Sequence, residues 1–278
     1  MKLSVINAGN FKLDGGAMFG VVPKSIWHPL YPADEKNMIP MAMRCLLIED
    51  GNRLILIDAG MGTKQNDKFF GHYYLHGDYS LDKSLKDAGY HRDEITDVFL
   101  THLHFDHCGG AIDWNESRSG YRPAFKNAQF WSNKEHWDWA INPNGREKAS
   151  FLKENILPLD ESGQLAFIEG DVFSENIQII RVSGHTESMM LPLIQYKGRK
   201  ILYAADLLPT PVHIPQAWVM AYDTRPLLTL EEKPRILEQA ATENWVVFFE
   251  HDIQTECASL EKSDRGVRHA ASFLLSEL

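Results

Sequence analysis

Three histidines and an aspartate lie within the six consecutive positions from His102 to His107, one residue after an apolar run over residues 98–100. Imidazole nitrogen and carboxylate oxygen are ligand atoms that zinc, manganese, iron and cobalt accept. Four such groups on one turn of chain would repel each other or lack partners unless a cation lay among them. The cluster therefore indicates a bound metal, and more than one metal ion.

The spacing within this cluster requires a change of backbone direction. His102 and His104 are two residues apart, so on an extended segment both side chains point to the same side. The chain must then turn before Asp106 and His107 face the same space, and the glycines at 109–110 give it the freedom to do so. A catalytic zinc ion usually takes three protein ligands and a water molecule, so further ligands are needed for a second metal position.

Three more residues of the same types follow apolar segments that are typical of strands. His185 comes after residues 177–182, Asp206 after residues 201–205, and His251 shortly after residues 246–249. Loops that follow strands collect at one edge of a sheet, where such side chains meet.

The run His-x-His-x-Asp-His, followed in order by single His, Asp and His residues, resembles the metallo-β-lactamase superfamily. This resemblance implies an α+β fold, an αββα four-layer sandwich, with two metal ions. Asp58, in Leu-Ile-Asp-Ala-Gly, also matches a superfamily element and is expected to orient a ligand imidazole; alternatively it starts a turn. The implied ligands are His102, His104 and His185 for one metal, Asp106, His107 and His251 for the other, and Asp206 as the bridge.

The elements that must position these residues alternate along the chain, which by itself predicts an α/β or α+β sandwich. Residues 9–43 and 61–79 fit no regular element and are interpreted as functional loops or oligomer arms. No linker divides the sequence, so we expect one domain over 1–278, with the loop at about 9–43 as a pocket wall or dimer arm. Strands are predicted at 3–6, 44–48, 54–57, 97–100, 177–182, 191–195, 201–203 and 245–249, and helices at 80–88, 133–141, 147–155, 230–243 and 266–278.

Composition narrows the class of protein. The chain has 278 residues, is 44% hydrophobic and 24% charged, and has a formal net charge of −10. This charge argues against a nucleic-acid surface, which needs clustered lysine and arginine. No apolar run approaches the length of a membrane span, and three scattered cysteines fit a reducing compartment. We therefore expect a cytoplasmic protein that acts on a small molecule, without nucleic-acid or membrane partners.

Two metal ions in such a site can share a bridging hydroxide and lower its pKa toward neutrality, which supplies a nucleophile for hydrolysis. Asp106 or Asp206 could accept the proton of the attacking water. Nitrogen and oxygen ligands favour Zn²⁺, with Mn²⁺, Fe²⁺ and Co²⁺ as alternatives. The predicted reaction is hydrolysis of an ester-like or amide-like bond.

Residues 14–24, 205–210 and 218–223 are similar to Bacillus-type quorum-quenching N-acyl-homoserine lactonases, which implies lactone hydrolysis. Some of those lactonases have a tyrosine shortly after the bridging aspartate, but this chain has Leu207, Leu208 and Pro209. Assistance to the oxyanion would then come from elsewhere, for which His213 and Tyr222 are the candidates. The resemblance, together with the position of His213 past the bridging aspartate, indicates as pocket residues Met18, Phe19, Trp27, His213, Trp218, Met220 and Tyr222.

Other functions stay open at this point. A phosphotriesterase, phosphodiesterase or other ester hydrolase could use the same metals, since the superfamily places one site over many substrates. A non-catalytic metal-binding protein would be expected to have lost ligands, yet all seven are present. A homodimer is an open alternative to a monomer.

Overall fold

Each of two compact units is built from two separate stretches of the chain. A computed structural model describes residues 1–278. The first unit comprises Met1–Asn10 and Met43–Gly170, and the second comprises Phe11–Ala42 and Asp171–Leu278. The single domain expected from the sequence stays a prediction.

The regular elements alternate between strands and short helices along most of the chain. The strands are β1 Lys2–Asp14, β2 Met38–Asp50, β3 Arg53–Ile57, β4 Asp97–Phe99, β5 Ile112–Trp114, β6 Tyr121–Pro123, β7 Gln129–Ser132, β8 Leu165–Phe167, β9 Val172–Ser174, β10 Ile177–Val182, β11 Met189–Tyr196, β12 Arg199–Tyr203, β13 Val246–Phe248, β14 Cys257–Ser263 and β15 Gly266–Phe273. The α-helices are α1 Gly15–Phe19, α2 Lys24–Trp27, α3 Asp67–Tyr73, α4 Leu81–Asp87, α5 Phe105–Cys108, α6 Lys134–Ile141, α7 Lys153–Glu161 and α8 Pro226–Thr242. Single 3-10 turns lie at Arg92–Glu94, Gly109–Ala111, Ala205–Leu207, Pro211–His213 and Leu275–Glu277.

A six-stranded sheet in the order β1-β2-β3-β4-β7-β8 organises the first unit. Strands β3, β4, β7 and β8 are parallel neighbours, so the chain leaves them at one common edge. After a charged first residue, β3 and β4 are buried and apolar, as expected for parallel strands covered on both faces, whereas β7 and β8 are only partly buried. Asp58 follows β3 and Thr101 follows β4, which places both at this edge.

A seven-stranded sheet in the order β15-β14-β13-β12-β11-β10-β9 organises the second unit. Strand β11 is antiparallel to both β10 and β12, and β12 is parallel to β13. Therefore β10, β12 and β13 run in the same direction and end at the same edge. His185, Asp206 and His251 follow these three strands, as the sequence predicted.

Helix α8 buries a face that is shifted by one residue from the predicted one. The sequence pattern gave Leu230, Pro234, Leu237 and Ala241. Of these four residues the structure buries only Leu237. The buried residues are Thr229, Lys233, Ile236, Leu237 and Ala240. The shift occurs because a lysine occupies a core-facing position, which an apolar pattern cannot register.

Two predicted helices were wrong or misplaced. Instead of a helix over 266–278, Gly266–Phe273 form strand β15 and Leu275–Glu277 a 3-10 turn, because a tight turn at Gly266 (φ 99°) returns the chain to pair with β14. The prediction missed β14, the partner that makes this hairpin. The helix predicted at 147–155 begins only at Lys153 and continues to Glu161.

The region at 9–43 is more regular than predicted. Strand β1 continues to Asp14, whose carboxylate accepts a hydrogen bond from the Ala17 amide (2.8 Å) and so caps α1. Strand β2 begins at Met38. A long structureless loop was therefore the wrong description. No helix in the structure combines the length and the apolar character that a bilayer span needs.

Candidate metal centre

The first unit buries four of the predicted ligands on one short segment. The residues His102, His104, Asp106 and His107 are each at most 8% exposed. His102 Nε2 lies 3.1 Å from His104 Nδ1. Two nitrogens bound to one tetrahedral zinc ion at about 2.1 Å would be separated by nearly this distance. The pair therefore has the spacing that a shared metal requires.

Gly109 and Gly110, which follow the ligand cluster, let the backbone pass very close to the loop after β3. The Gly110 amide donates to Gly60 O (2.8 Å), and a Cβ on Gly109 or Gly110 would collide with the carbonyls of Met61 and Ala59. Gly109 itself has helical torsions (φ −59°). The glycines are thus needed for close approach rather than for the unusual torsions that the sequence analysis assumed.

Asp58 lies against His107, as the prediction of an orienting carboxylate requires. Its side chain is fully buried at a residue with φ 57°. Oδ1 accepts from the Thr101 amide (2.8 Å) and Oδ2 from the Thr101 hydroxyl (2.7 Å), and Oδ2 lies 3.1 Å from His107 Nδ1. This network holds the ring so that Nε2 points away from Asp58.

The second unit brings together His185, Asp206 and His251. Asp206 Oδ2 lies 3.1 Å from His185 Nε2, and Oδ1 lies 3.0 Å from His251 Nε2. Each carboxylate oxygen thus faces a different imidazole, which is the arrangement of a carboxylate that bridges two metal ions. On the outer side, His185 Nδ1 lies 3.0 Å from Asp223 Oδ1, and His251 Nδ1 lies 2.8 Å from Ala42 O.

The charges around His185 in the second unit favour a bound cation. Burial lowers the pKa of His185, but the carboxylates of Asp206 and Asp223 outweigh burial and raise the pKa to about 10. Two buried carboxylates around one imidazole therefore hold a positive charge in place. A divalent metal supplies such a charge, so the donor set fits a metal ion.

Sequence reasoning missed two carboxylates beside predicted ligands. Asp223 faces His185, and its other oxygen accepts from the Thr229 hydroxyl (2.9 Å). Glu147 Oε1 lies 3.5 Å from His104 Nε2, and Oε2 accepts from the Trp139 indole (2.7 Å). A carboxylate 38 or 43 positions from its histidine has no local signal in the sequence.

The predicted pocket residues mostly pack on one another. Phe19 stacks between Trp27 and His213, with ring centroids 4.8 Å apart in each pair, and meets Trp218 edge-on at 5.8 Å. Met18 and Met220 are buried as well, whereas Tyr222 is 38% exposed. His213 cannot assist an oxyanion, because Nε2 is 2.9 Å from Met18 O and Nδ1 is 2.8 Å from the Thr210 hydroxyl. Both ring nitrogens are thus engaged inside the protein.

Trp218 also lines a cavity of about 490 Å³ in the second unit, here called the Trp218 cavity. Pro211, Val212, Ile214 and Pro215 line it as well. Asp252, which directly follows His251, lies on the wall too. The lining is largely apolar, so the cavity suits a hydrocarbon group.

Comparison with known proteins places the chain in a family. The profile of the metallo-beta-lactamase superfamily matches residues 42–251. The chain belongs to the metallo-β-lactamase superfamily. The predicted α+β metallo-β-lactamase fold is therefore confirmed, and the protein is a metal-dependent hydrolase with buried His and Asp side chains suited to metal binding.

Relatives within the superfamily are similar over most of their length. An N-acyl homoserine lactonase from Bacillus sp is 26% identical over 268 residues, covering 92% of this chain and 94% of the relative. A second N-acyl homoserine lactonase, from Bacillus cereus, is 26% identical over 233 residues, covering 79% and 85%.

Solved structures extend this likeness. A probable metal-dependent hydrolase from Staphylococcus aureus has a TM-score of 0.89 and 30% identity, covering 100% of this chain and 98% of that one. The dizinc quorum-quenching lactonase AidC, in complex with a product, has a TM-score of 0.80 and 23% identity, covering 98% and 95%. At that identity the second likeness is evidence for the fold alone.

Proposed function

We propose that the protein hydrolyses lactone rings, with N-acyl-homoserine lactones as the substrate class, at a dinuclear metal centre. One metal would be held by His102, His104 and His185, the other by Asp106, His107 and His251, with Asp206 between them. Zn²⁺ is the expected metal, because the donors are imidazoles and carboxylates. The position of Asp206 between two imidazoles carries this proposal.

The chemistry divides between the metals and the chain. Two divalent metals polarise a carbonyl oxygen and bring the pKa of water close to neutrality. Asp106 and Asp206 are the carboxylates that could accept the proton of the attacking water. Partners such as Asp58 and Asp223 keep the imidazoles in a fixed orientation.

Substrate choice is the less constrained part of the proposal. The lactonase relatives support a lactone, and the Trp218 cavity offers an apolar surface for its acyl chain. Because both ring nitrogens of His213 are engaged inside the protein, we propose Tyr222 as the residue that assists the oxyanion. A Tyr222→Phe variant should then lose kcat with little change in metal content.

The test is turnover by zinc-loaded protein on a panel of acyl-homoserine lactones and on an aryl phosphotriester. We expect ring opening of the lactones, and catalysis confined to the phosphorus substrate would overturn the proposal. Asp106→Ala should abolish turnover. The matched control is Asp113→Ala, an aspartate of the same unit that pairs with Arg92 at 2.9 Å.

We further propose a cytoplasmic location, which the three buried free thiols support. A homodimer also stays a proposal. Light scattering coupled to gel filtration would measure the mass in solution.

A further inference from the structure

A fully buried lysine occupies the core-facing side of α8. The Lys233 side chain has no exposed surface. Its ammonium donates to three backbone carbonyls, those of His213 (3.0 Å), Pro215 (3.0 Å) and Trp218 (2.8 Å). A lysine ammonium has three donors, so every one of them is used on a single short loop, residues 213–218.

Placing a lysine here costs free energy. Burial lowers the pKa of Lys233 to about 7, against the opposing effect of the Asp223 carboxylate. Lysine is rarely fully buried, and leucine or methionine would pack on the same helix face without this cost. The hydrogen bonds to the three carbonyls offset this cost, and of these the Pro215 carbonyl also accepts from the Trp218 amide (3.0 Å).

The 213–218 loop belongs to no helix or strand beyond its first residue, which ends a 3-10 turn. Within the loop the Trp218 amide donates to Pro215 O (3.0 Å), and Pro215 has no amide hydrogen to donate. Besides Lys233, a second contact from α8 holds it, since the Gln216 side-chain amide donates to Leu230 O (3.1 Å). Ile214, Pro215 and Trp218 of this loop line the Trp218 cavity. The shape of the cavity wall therefore depends on α8.

We propose that Lys233 is a positioning residue that fixes the 213–218 loop and thereby determines how well the Trp218 cavity accepts a long acyl chain. This inference rests on the proposed lactone hydrolysis for its substrate. Lys233 acts through three carbonyl oxygens and not by contact with the lactone ring. Its loss should change the recognition of the acyl chain more than the chemical step.

The test compares Lys233→Met with Arg235→Met, which removes a cation from the exposed side of the same helix. We expect Lys233→Met to raise KM for a decanoyl lactone by about tenfold, while KM for a butanoyl lactone and kcat change by less than about threefold. Amide hydrogen exchange in residues 212–219 should become about tenfold faster. Arg235→Met should have the same KM values, kcat and amide exchange rates as the wild type.

Unchanged exchange at 212–219, or an equal change of KM for both lactones, would overturn the inference. If Lys233→Met does not fold, NMR of the wild type with ¹⁵N-labelled lysine replaces the comparison. An ammonium signal that is protected from exchange in the wild type and missing in Lys233→Arg supports the contact. Absence of this signal from the wild type overturns the inference.

If no lactone is hydrolysed, the proposed function fails separately. Binding of decanoate, followed by quenching of Trp218 fluorescence with Trp218→Phe as the reference, then replaces the kinetic measurement. Weaker binding to Lys233→Met or to Lys233→Arg than to the wild type supports the inference, and equal binding to the variant that folds overturns it.

Discussion

Every imidazole that we propose as a metal ligand has one nitrogen beside another group of the protein. Such contacts fix the tautomer and the orientation of the ring, so that the remaining nitrogen is presented to the metal. The pairs are His102 Nδ1 with the Thr101 hydroxyl (3.1 Å), His104 Nε2 with Glu147 (3.5 Å), His107 Nδ1 with Asp58 (3.1 Å), His185 Nδ1 with Asp223 (3.0 Å) and His251 Nδ1 with Ala42 O (2.8 Å).

Replacing Asp223 tests this role. Asp223→Ala should weaken zinc binding by about 10-fold to 100-fold, because His185 loses the carboxylate that holds its ring. Competition with a chromogenic chelator measures the affinity. Asp171→Ala, which removes an exposed carboxylate paired with Arg181, is the control. Equal affinities in both variants would show that Asp223 has no part in the site.

His213 makes a separate prediction about pH. Burial, assisted by the charge of Lys233, lowers its pKa to about 3, although the Met18 carbonyl acts in the opposite direction. Between pH 6.5 and 3, His213 is protonated in the unfolded chain but neutral in the folded protein. The free energy of unfolding therefore falls as the pH falls through this range. The free energy of unfolding should be about 2 kcal/mol lower at pH 5 than at pH 7 from this residue alone.

Denaturant unfolding at both pH values measures the effect. His213→Gln should reduce the difference between the two free energies by that amount. His72→Gln, at an exposed position, should leave it unchanged. A difference of the same size in His213→Gln and the wild type would contradict the assignment.

At this scale the sequence was informative where residue order carries a motif. It predicted seven ligand candidates and an orienting role for Asp58. The structure places His185, Asp206 and His251 after strands, as expected, whereas Asp106 and His107 lie in helix α5. It could not reveal Asp223 or Glu147, because a carboxylate facing a ligand and one facing water look alike in a single sequence. It also could not tell that His213 uses both nitrogens internally.

At the scale of elements, the order of strands explains why distant residues meet. The sequence predicted eight of the fifteen strands, including β10 at its observed bounds, and missed the short strands β5 to β9. It failed at β15, whose conformation is fixed by pairing with β14 rather than by its own pattern. It also missed the inward turn of Lys233, since α8 was read from its apolar residues alone.

The loop before His185 packs against the start of α8, and Gly184 makes this possible. A Cβ on Gly184 would lie 2.6 Å from the Thr229 amide nitrogen, so the backbone would have to move. Gly184→Ala should therefore lower the free energy of unfolding by about 2 kcal/mol or more and reduce metal content by displacing His185. Gly145→Ala is the control, since nothing lies within 4 Å of a Cβ there.

Urea unfolding and elemental analysis measure the two effects on Gly184→Ala. A variant as stable as Gly145→Ala would contradict the close packing. If Gly184→Ala has normal stability but has lost metal, the substitution disturbs only the loop that carries His185.

At the scale of the whole molecule, we expect bound metal and folding to be coupled. The chain has a formal charge of −10, and its proposed ligands include the buried carboxylates of Asp106 and Asp206, whose charge a cation would neutralise. A metal that binds the folded state in preference to the unfolded chain stabilises it by mass action. Removing metal with a chelator should lower Tm by several degrees, and added zinc should restore it in a concentration-dependent way.

Differential scanning fluorimetry measures these shifts. Asp206→Asn, which weakens the proposed bridge, should show a smaller rise with zinc than the wild type. A Tm that changes neither with the chelator nor with added zinc would contradict the coupling between metal binding and folding.

The interrupted path of the chain has a consequence for synthesis on the ribosome. Residues 11–42 emerge early, but the unit to which they belong is completed only by residues 171–278. Phe11, Phe19 and Trp27 are all buried in the finished protein. While the intervening stretch is translated they lack the partners that the later stretch supplies, which include His251, His213 and Trp218. A nascent chain in that state exposes a cluster of aromatic side chains, which is the feature that chaperones bind and that drives association between incomplete chains.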